Sequence, residues 1–367
     1  MRRIVHYFPG AMGNSGVTYA LWMWARAQAA SGAEVHVLHA PQGEPTSDVP
    51  FVSKARHPGL TTQCVPHRGS HRMTLRPVGL DRYLGRRDLL VLHTGWVPSN
   101  LLAAAAARRT GVPYVVMPHG VYERQWTTYL RGPRRIRDFF ERQFLERAAA
   151  VHVFFDSEIA DVTALAPEAG FLTVPTGFDL PDDHWAGGGG YIAWMGRIDP
   201  VHKGLDTLVR AIARLSPTER PTMRIRGYDY KGGIARLERL IADHCLEPWV
   251  RLEPAVAGTE KKTFMRQADG YVHPSRWECH SIALLENLAL GVPCVVSKTI
   301  HIAHALERSS AAVLAEPCAP DLAEALALLP SESGRIAGRG RALIGNAFNW
   351  GTLMPQFHAA VARMGLA

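Results

Sequence analysis

The chain has 367 residues, 47% of them hydrophobic, and a net charge of +8. That length can bury a large core and favours two domains over one, while the longest apolar runs, such as residues 101–107, are far too short to span a membrane. The five cysteines are odd in number, scattered and without a C-x-x-C pair, which argues against a disulfide framework or a zinc site and suits a reducing cytoplasm.

Predicted elements alternate between strand and helix from the start. An apolar strand at residues 4–8 follows two arginines but ends at Pro9-Gly10, too short a run for a signal peptide. Gly13-Asn14-Ser15-Gly16 then leads into a helix over residues 17–30, stopped by Gly32, and a second strand at 34–39. The glycine spacing is not a dinucleotide fingerprint; these glycines serve either a close backbone approach to a ligand or a tight turn. Trp22 and Trp24 are expected to pack against the sheet and a neighbouring loop.

Residues 40–88 are rich in Pro, Gly, Arg and His and read as a long irregular insertion. The 54–87 stretch carries Lys54, Arg56, Arg68, Arg72 and further arginines against Asp81 alone. A solvated loop is the first reading, and peripheral contact with anionic lipid or an acidic substrate is the second. Sparse aromatics and the lack of a recognition motif argue against nucleic acid.

Strands at 89–93 and 114–117 flank a helix over 101–109. The second strand runs into Pro118-His119-Gly120. A histidine at the carboxyl end of a strand in an α/β domain lies where ligands bind, unless it only satisfies its turn. An arginine-rich helix over 134–149 is expected to carry Phe139, Phe140, Phe144 and Leu145 on its apolar side, with Glu141 and Glu146 partnering Arg137 and Arg142. An ordinary outer helix is favoured over a membrane-surface one. Strands at 151–155 and 171–174 follow. Then Pro175-Thr176-Gly177-Phe178-Asp179, a proline-rich segment and four glycines at 187–190 mark a domain boundary.

The pattern restarts with a strand at 191–195, the loop from Gly196-Arg197 to Lys203-Gly204, and an amphipathic helix over 205–215. Arg197 and Lys203 place two cations beside exposed helix amides, an arrangement that fits two phosphoryl groups or two ordinary surface cations. A strand at 222–226 ends at Gly227, and a helix over 234–245, a strand at 250–252 and a short helix near 259–267 lead to a strand-helix-strand unit at 270–297. There a strand at 271–273 meets the Pro274-Ser275 turn, a helix begins near Ser281 and stops at Gly291, and a strand occupies 293–296. Glu278 precedes that helix, and Glu286 sits inside it among Leu285, Leu288 and Leu290, where a carboxylate is unexpected. Open amides at a helix start suit an anion and carboxylates accept from hydroxyls; a phosphorylated sugar compound has both groups. His301 and His304 lack a third ligand, so no metal site is expected. A strand at 312–314, a helix over 321–328 and an amphipathic helix around 354–364, after Phe348-Asn349-Trp350, end the chain.

In order and spacing these stretches together resemble the retaining, nucleotide-sugar-dependent glycosyltransferases of family four, the glycosyl transferases group 1. The resemblance runs through the loop at 13–16, Pro118-His119-Gly120, the 174–179 stretch with Thr176 where Asn is usual, and Gly196-Arg197 with Lys203-Gly204. It continues through Pro274-Ser275 with Glu278 and Glu286, Gly291-Val292-Pro293 and Phe348-Asn349-Trp350. It implies an α/β chain of GT-B fold, with two Rossmann-like doubly wound domains facing a central cleft. These would be an acceptor-binding domain at 1–182, a nucleotide-sugar donor-binding domain at 183–347, and a crossover helix at 348–367 returning to the first domain.

The resemblance also implies roles. Arg197 and Lys203 would hold the donor diphosphate in place of a metal, and the sequence has no D-x-D. Gly196 and Gly227 would belong to the same donor site, Glu278 would contact the donor sugar and Glu286 the ribose hydroxyls. The amides of Cys279, His280, Ser281 and Ile282 would face the sugar or diphosphate. His119 would reach the sugar from the other domain, making His119, Glu278, Arg197 and Lys203 the catalytic set, and Gly13, Asn14, Ser15 and Gly16 would close over phosphates or acceptor. No cofactor is implied beyond the nucleotide-diphosphate sugar as co-substrate. The acceptor would be a hydroxyl of a glycan, a lipid-linked compound or a small molecule, met in the cytoplasm or peripherally at a membrane through residues 54–87. Cys279-His280-Ser281 departs from the small glycines usual after the first glutamate, so donor-sugar preference does not carry over. A noncatalytic nucleotide-sugar-binding protein on the same fold is the alternative.

Overall fold

The computed structural model describes residues 3–13, 15–41, 57–71, 73–128, 130 and 133–366, so Asn14, Lys54, Arg56 and Arg72 lie outside the described residues. The chain divides into two compact units, Met1–Gly177 with Trp350–Ala367, and Phe178–Asn349.

Among the described residues of the first unit, seven parallel strands form one sheet. Their spatial order is Leu60–Cys64, Val35–His39, Arg3–Tyr7, Asp88–His93, Tyr114–Met117, Ala150–Val153 and Phe171–Thr173. The chain therefore winds outward from Arg3–Tyr7 in one direction, then reverses at Asp88–His93 and winds the other way. Central strands such as Asp88–His93 are buried throughout, which is why they read as continuous apolar runs rather than alternating ones. Part of the stretch expected to be irregular is a strand, Leu60–Cys64, which pairs in parallel with Val35–His39. It lies at the sheet edge, and of its residues only Leu60 is buried, so its sequence carries no apolar stripe.

Trp22 and Trp24 bond as packed helix residues: Trp22 Nε1 donates to the Ala11 carbonyl at 2.8 Å and Trp24 Nε1 to Thr176 Oγ1 at 3.1 Å. Trp24 also meets Trp350 edge-on at 5.0 Å and Phe357 at 5.4 Å, which fastens the terminal helix Trp350–Arg363 into the first unit. A Cβ on Gly177 would stand 2.6 Å from Trp350 Cδ2, so only glycine fits there.

The arginine-rich helix, Arg134–Glu146, corrects two expectations. Phe139 and Phe140 are 59% and 53% exposed, and the inward stripe is Glu141, Phe144 and Leu145. Glu141 does not pair with Arg137, which turns to Asp138 at 3.0 Å. Instead Glu141 Oε1 accepts from the Tyr122 hydroxyl at 2.6 Å and from the Trp96 amide at 2.7 Å. Arg142 and Glu146 do pair, at 2.8 Å.

Burial pushes the Glu141 carboxyl up to about 7, and the bonds from Tyr122 and Trp96 offset this only in part. Between pH 4.5, its ordinary value, and that raised value, the folded protein keeps a proton that the unfolded chain has released, so stability falls as pH rises through the window. Glu141→Gln keeps the acceptor oxygen and removes the titration. Its stability relative to wild type is expected to improve from pH ~5 to ~8 by about 1 kcal/mol or more. Thermal scans showing a constant difference across that range would refute this.

In the second unit, six parallel strands among the described residues run Val250–Pro254, Met223–Asp229, Ile192–Ile198, Gly270–His273, Cys294–Ser297 and Val313–Ala315. This is the dinucleotide-type order, with its reversal between Ile192–Ile198 and Gly270–His273. Leu205, Leu208, Val209 and Ile212 of the helix Leu205–Arg214 join Trp194, Ile225, Val272 and Val295 in one core. Gly187–Gly190 lie inside this unit, where the amides of Gly187 and Gly189 donate to the carbonyls of Arg266 and Gln267.

The helix expected over 321–328 is much longer, Ala319–Ala347, and passes through Pro330. A proline interrupts one backbone bond at a cost of about 3 kcal/mol. The face bearing Leu329, Ile336, Ala337, Gly340 and Ile344 stays buried across that point and offsets it. No helix among the described residues is long and apolar enough to cross a membrane.

Candidate functional site

In the second unit Ile192–Ile198 and Gly270–His273 pair at Ile192–Ala193 and Gly270–Tyr271, the strand-order reversal; Arg197 lies near the carboxyl end of the first strand and Lys203 in the loop that follows it. Lys203 forms an ion pair with Glu278, their side chains 15% and 16% exposed. Burial would raise the Glu278 carboxyl, but Lys203, with His202 and His273 beside it, outweighs this and holds it at about 2. Glu278 is therefore an anion at any physiological pH.

Arg197 is held by residues the sequence did not single out. Its guanidinium stacks on the Tyr230 ring at 4.2 Å, lies 3.7 Å from Asp199 Oδ2, and donates to His202 Nδ1 at 2.9 Å. Burial, reinforced by Lys203, pushes His202 down to about 4, so its ring is neutral and its one N–H is on Nε2, which donates to the Trp277 carbonyl at 3.0 Å. The His202 ring also stacks on Trp277, 4.6 Å between centroids and 8° between planes. Arg276 ties the two loops together. Its guanidinium donates to both oxygens of Asp206 at 2.6 and 2.9 Å and to Thr207 Oγ1 at 2.7 Å, and its amide to the His202 carbonyl at 3.0 Å.

The helix after Glu278 is Ile282–Leu290, opened by Ser281, whose side chain accepts from the Leu284 amide, and closed by Gly291 in the left-handed region. Glu286 lies on it with Oε1 bonded to Lys261 Nζ at 2.6 Å, while Oε2 is buried with no hydrogen-bond partner among the described residues. Cys279 is buried; burial pushes His280 down to about 3, so its ring is neutral, edge-on to Phe348. Gly196 and Gly227 are paired across two strands, and a Cβ on Gly227 would stand 2.1 Å from the Gly196 carbonyl oxygen. Strand-to-strand contact alone therefore requires glycine at 227.

The other expected site residues belong to the first unit. Ser15 caps the helix Gly16–Ala30 by accepting from the Thr18 amide at 3.2 Å, and the Gly13 amide donates to the Gly10 carbonyl at 3.0 Å. His119 has φ 57°, a left-handed conformation rare for a side-chain-bearing residue. Its Nε2 lies 2.8 Å from His93 Nδ1.

Residues 15–177 match the family described as Glycosyl transferase 4-like domain, and residues 189–331 the family described as Glycosyl transferases group 1. The chain belongs to the group 1, family-four glycosyltransferases. The D-inositol 3-phosphate glycosyltransferase of Frankia alni is 27% identical over 330 residues, 79% of each chain. Among solved structures, sucrose-phosphate synthase from Thermosynechococcus elongatus superposes with a TM-score of 0.79 at 18% identity over 99% of both chains. Anabaena HepE in complex with UDP-glucose does so at 0.79 and 15%, over 99% of this chain and 100% of that one. These likenesses show the GT-B fold.

In this glycosyltransferase the second unit brings Arg197, Lys203, Glu278 and the helix bearing Glu286 together, and Gly196, next to Arg197, is tightly paired with Gly227. Sequence reasoning missed His202, Tyr230, Lys261 and Arg276. For His202 a signal existed, since it lies between the two cations in the loop; Tyr230, Lys261 and Arg276 stand in no local pattern that marks them.

Proposed function

We propose that this glycosyltransferase moves a sugar from a nucleoside-diphosphate sugar to an acceptor hydroxyl, with retention of anomeric configuration and without a metal ion. The observation that carries this reading is the Arg197, Lys203 and Glu278 cluster at the strand-order reversal of the second unit. Breaking the sugar–phosphate bond leaves a diphosphate with added negative charge, and two fixed cations stabilise that charge as it develops. Glu278, an obligate anion, serves the hydroxyls and developing positive charge of the donor sugar. Glu286 Oε2, a buried acceptor still to be satisfied, suits a ribose hydroxyl. The acceptor oxygen attacks the face the diphosphate leaves, and a departing phosphate oxygen takes the acceptor's proton. His119 acts at the sugar end of the reaction, the first unit binds the acceptor, and the five free thiols suit work in the cytoplasm.

The HepE structure holds UDP-glucose and the Frankia relative is named for D-inositol 3-phosphate, so UDP-sugars come first among donors and a phosphorylated polyol first among acceptors. UDP, GDP, ADP and TDP are to be screened by thermal shift, where the true leaving nucleotide raises the melting temperature. The matching sugar donors are then assayed for transfer in EDTA, with the product anomer read by NMR. Transfer that continues in EDTA with the donor's anomeric configuration is expected. Binding without transfer across a broad acceptor panel would favour a noncatalytic binder, and an inverted product or loss of activity in EDTA would overturn those parts of the reading.

A further inference from the structure

At the strand-order reversal of the first unit, three buried polar side chains that the transfer reaction itself does not call for run in a row to His119. Gln28 Oε1 is 2.7 Å from His6 Nε2, His6 Nδ1 is 2.8 Å from His93 Nε2, and His93 Nδ1 is 2.8 Å from His119 Nε2. Gln28, His6 and His93 are 1%, 0% and 0% exposed, and they reach the row from the first helix and the two strands that flank the reversal. His152, on Ala150–Val153 two strands along from Asp88–His93, is not a member, because its Nε2 bonds to the Val174 carbonyl at 2.8 Å.

Burial pushes His6 down to about 4 and His93 well below the ordinary histidine value, with its neighbours His6, His119 and His152 adding to the effect on His93. Both rings are thus neutral, and a neutral imidazole has one N–H and one lone pair. Every link in the row must then point the same way. The Gln28 carbonyl accepts from His6 Nε2–H, so His6 Nδ1 accepts from His93 Nε2–H, and His93 Nδ1 accepts from His119 Nε2–H.

We propose that Gln28, His6 and His93 are positioning residues that fix the proton of His119 on Nε2 and leave Nδ1 as its working nitrogen. With the row in this direction, His119 Nδ1 accepts a hydrogen bond from a substrate hydroxyl when neutral and donates one when protonated, while Nε2 keeps its partner in both states. With the row reversed, Nδ1 would carry the only N–H and could not accept. The left-handed backbone of His119 agrees with a ring held by an outside anchor rather than by local preference. This inference rests on the proposed role of His119 at the sugar end of the reaction.

Two variants of the full-length protein test it. Gln28→Leu removes the terminal acceptor. Gln28→Glu retains one, and Gln28 Nε2 has no hydrogen-bond partner among the described residues to be lost. With 15N-labelled histidine, and His119 assigned by difference from His119→Asn, imidazole NMR is expected to show His119 as the Nε2–H form in wild type and Gln28→Glu. In folded Gln28→Leu it should show a mixed or Nδ1–H form. The kcat for sugar transfer should fall about tenfold in Gln28→Leu, with the donor KM within about twofold, and recover in Gln28→Glu. An unchanged His119 pattern in folded Gln28→Leu, or an unchanged kcat, would overturn the inference. Full transfer by His119→Asn is a different failure: it would sink the role of His119 itself, whereas the NMR pattern reports on the row whatever His119 does.

Discussion

Lys203→Ala is expected to lower kcat/KM for sugar transfer by about 10²–10³-fold, the loss typical of removing one preorganised stabiliser of transition-state charge. The ion pair with Glu278 complicates the reading, because the same change leaves a largely buried carboxylate without its cation. Breaking such a pair from one side destabilises by roughly 3 kcal/mol. The two effects separate in a double variant. Lys203→Met with Glu278→Gln removes both charges, so the melting temperature should recover most of the loss while transfer does not.

The pH dependence adds a second mark. Glu278 is held at about 2 in the fold against 4.5 ordinarily, so its contribution to stability is present above pH 4.5 and is lost as pH falls toward 2. That acid limb should shrink in Lys203→Ala. If activity and stability recover together in the double variant, Lys203 acts through the fold and not on the diphosphate.

Both parallel sheets were legible in the sequence because their central strands, covered on two faces, are continuous apolar runs, as at Asp88–His93 and Gly270–His273. Helix ends with a chemical signal were legible too: Ser281 and Gly291 bound their helix as their side-chain and backbone chemistry requires. The failures share a cause, which is that tertiary contact overrode a local signal. Pro330 reads as a stop, yet the buried face of Ala319–Ala347 carries the helix past it. Glu141 reads as an ion-pair partner at helical spacing, yet the inward stripe buries it against Tyr122 and Trp96.

The site divides along the same line. Arg197, Lys203, Glu278 and Glu286 stand in recognisable local patterns. What holds them comes from distant parts of the chain: Tyr230 under Arg197, Lys261 on Glu286 and Arg276 on Asp206. The row from Gln28 to His119 joins residues up to 87 positions apart in pairwise steps that no local pattern announces.

Gly204→Ala should be the most disruptive change of a single methyl group in the second unit's site. Gly204 caps the helix Leu205–Arg214 with φ 65°, and a Cβ there would stand 1.9 Å from the Pro274 carbonyl oxygen. No side-chain rotation relieves a clash with backbone, so the helix start and the turn after Gly270–His273 must move apart. That turn leads directly to Arg276 and Glu278, and the residue before the cap is Lys203, so the displacement pulls on the Lys203–Glu278 pair and on the Arg276–Asp206 clamp. A misplacement of about 1 Å is worth about 10²-fold in rate, and the strain should lower stability by roughly 2–3 kcal/mol.

Gly190→Ala is the matched control: its φ is 73°, but its Cβ would meet nothing within 4 Å. It should lose about 1 kcal/mol from the left-handed backbone alone and keep full transfer. Equal losses of stability in the two variants, with transfer intact in both, would show that the contact of Gly204 with Pro274 does not set the spacing of the cations and glutamates.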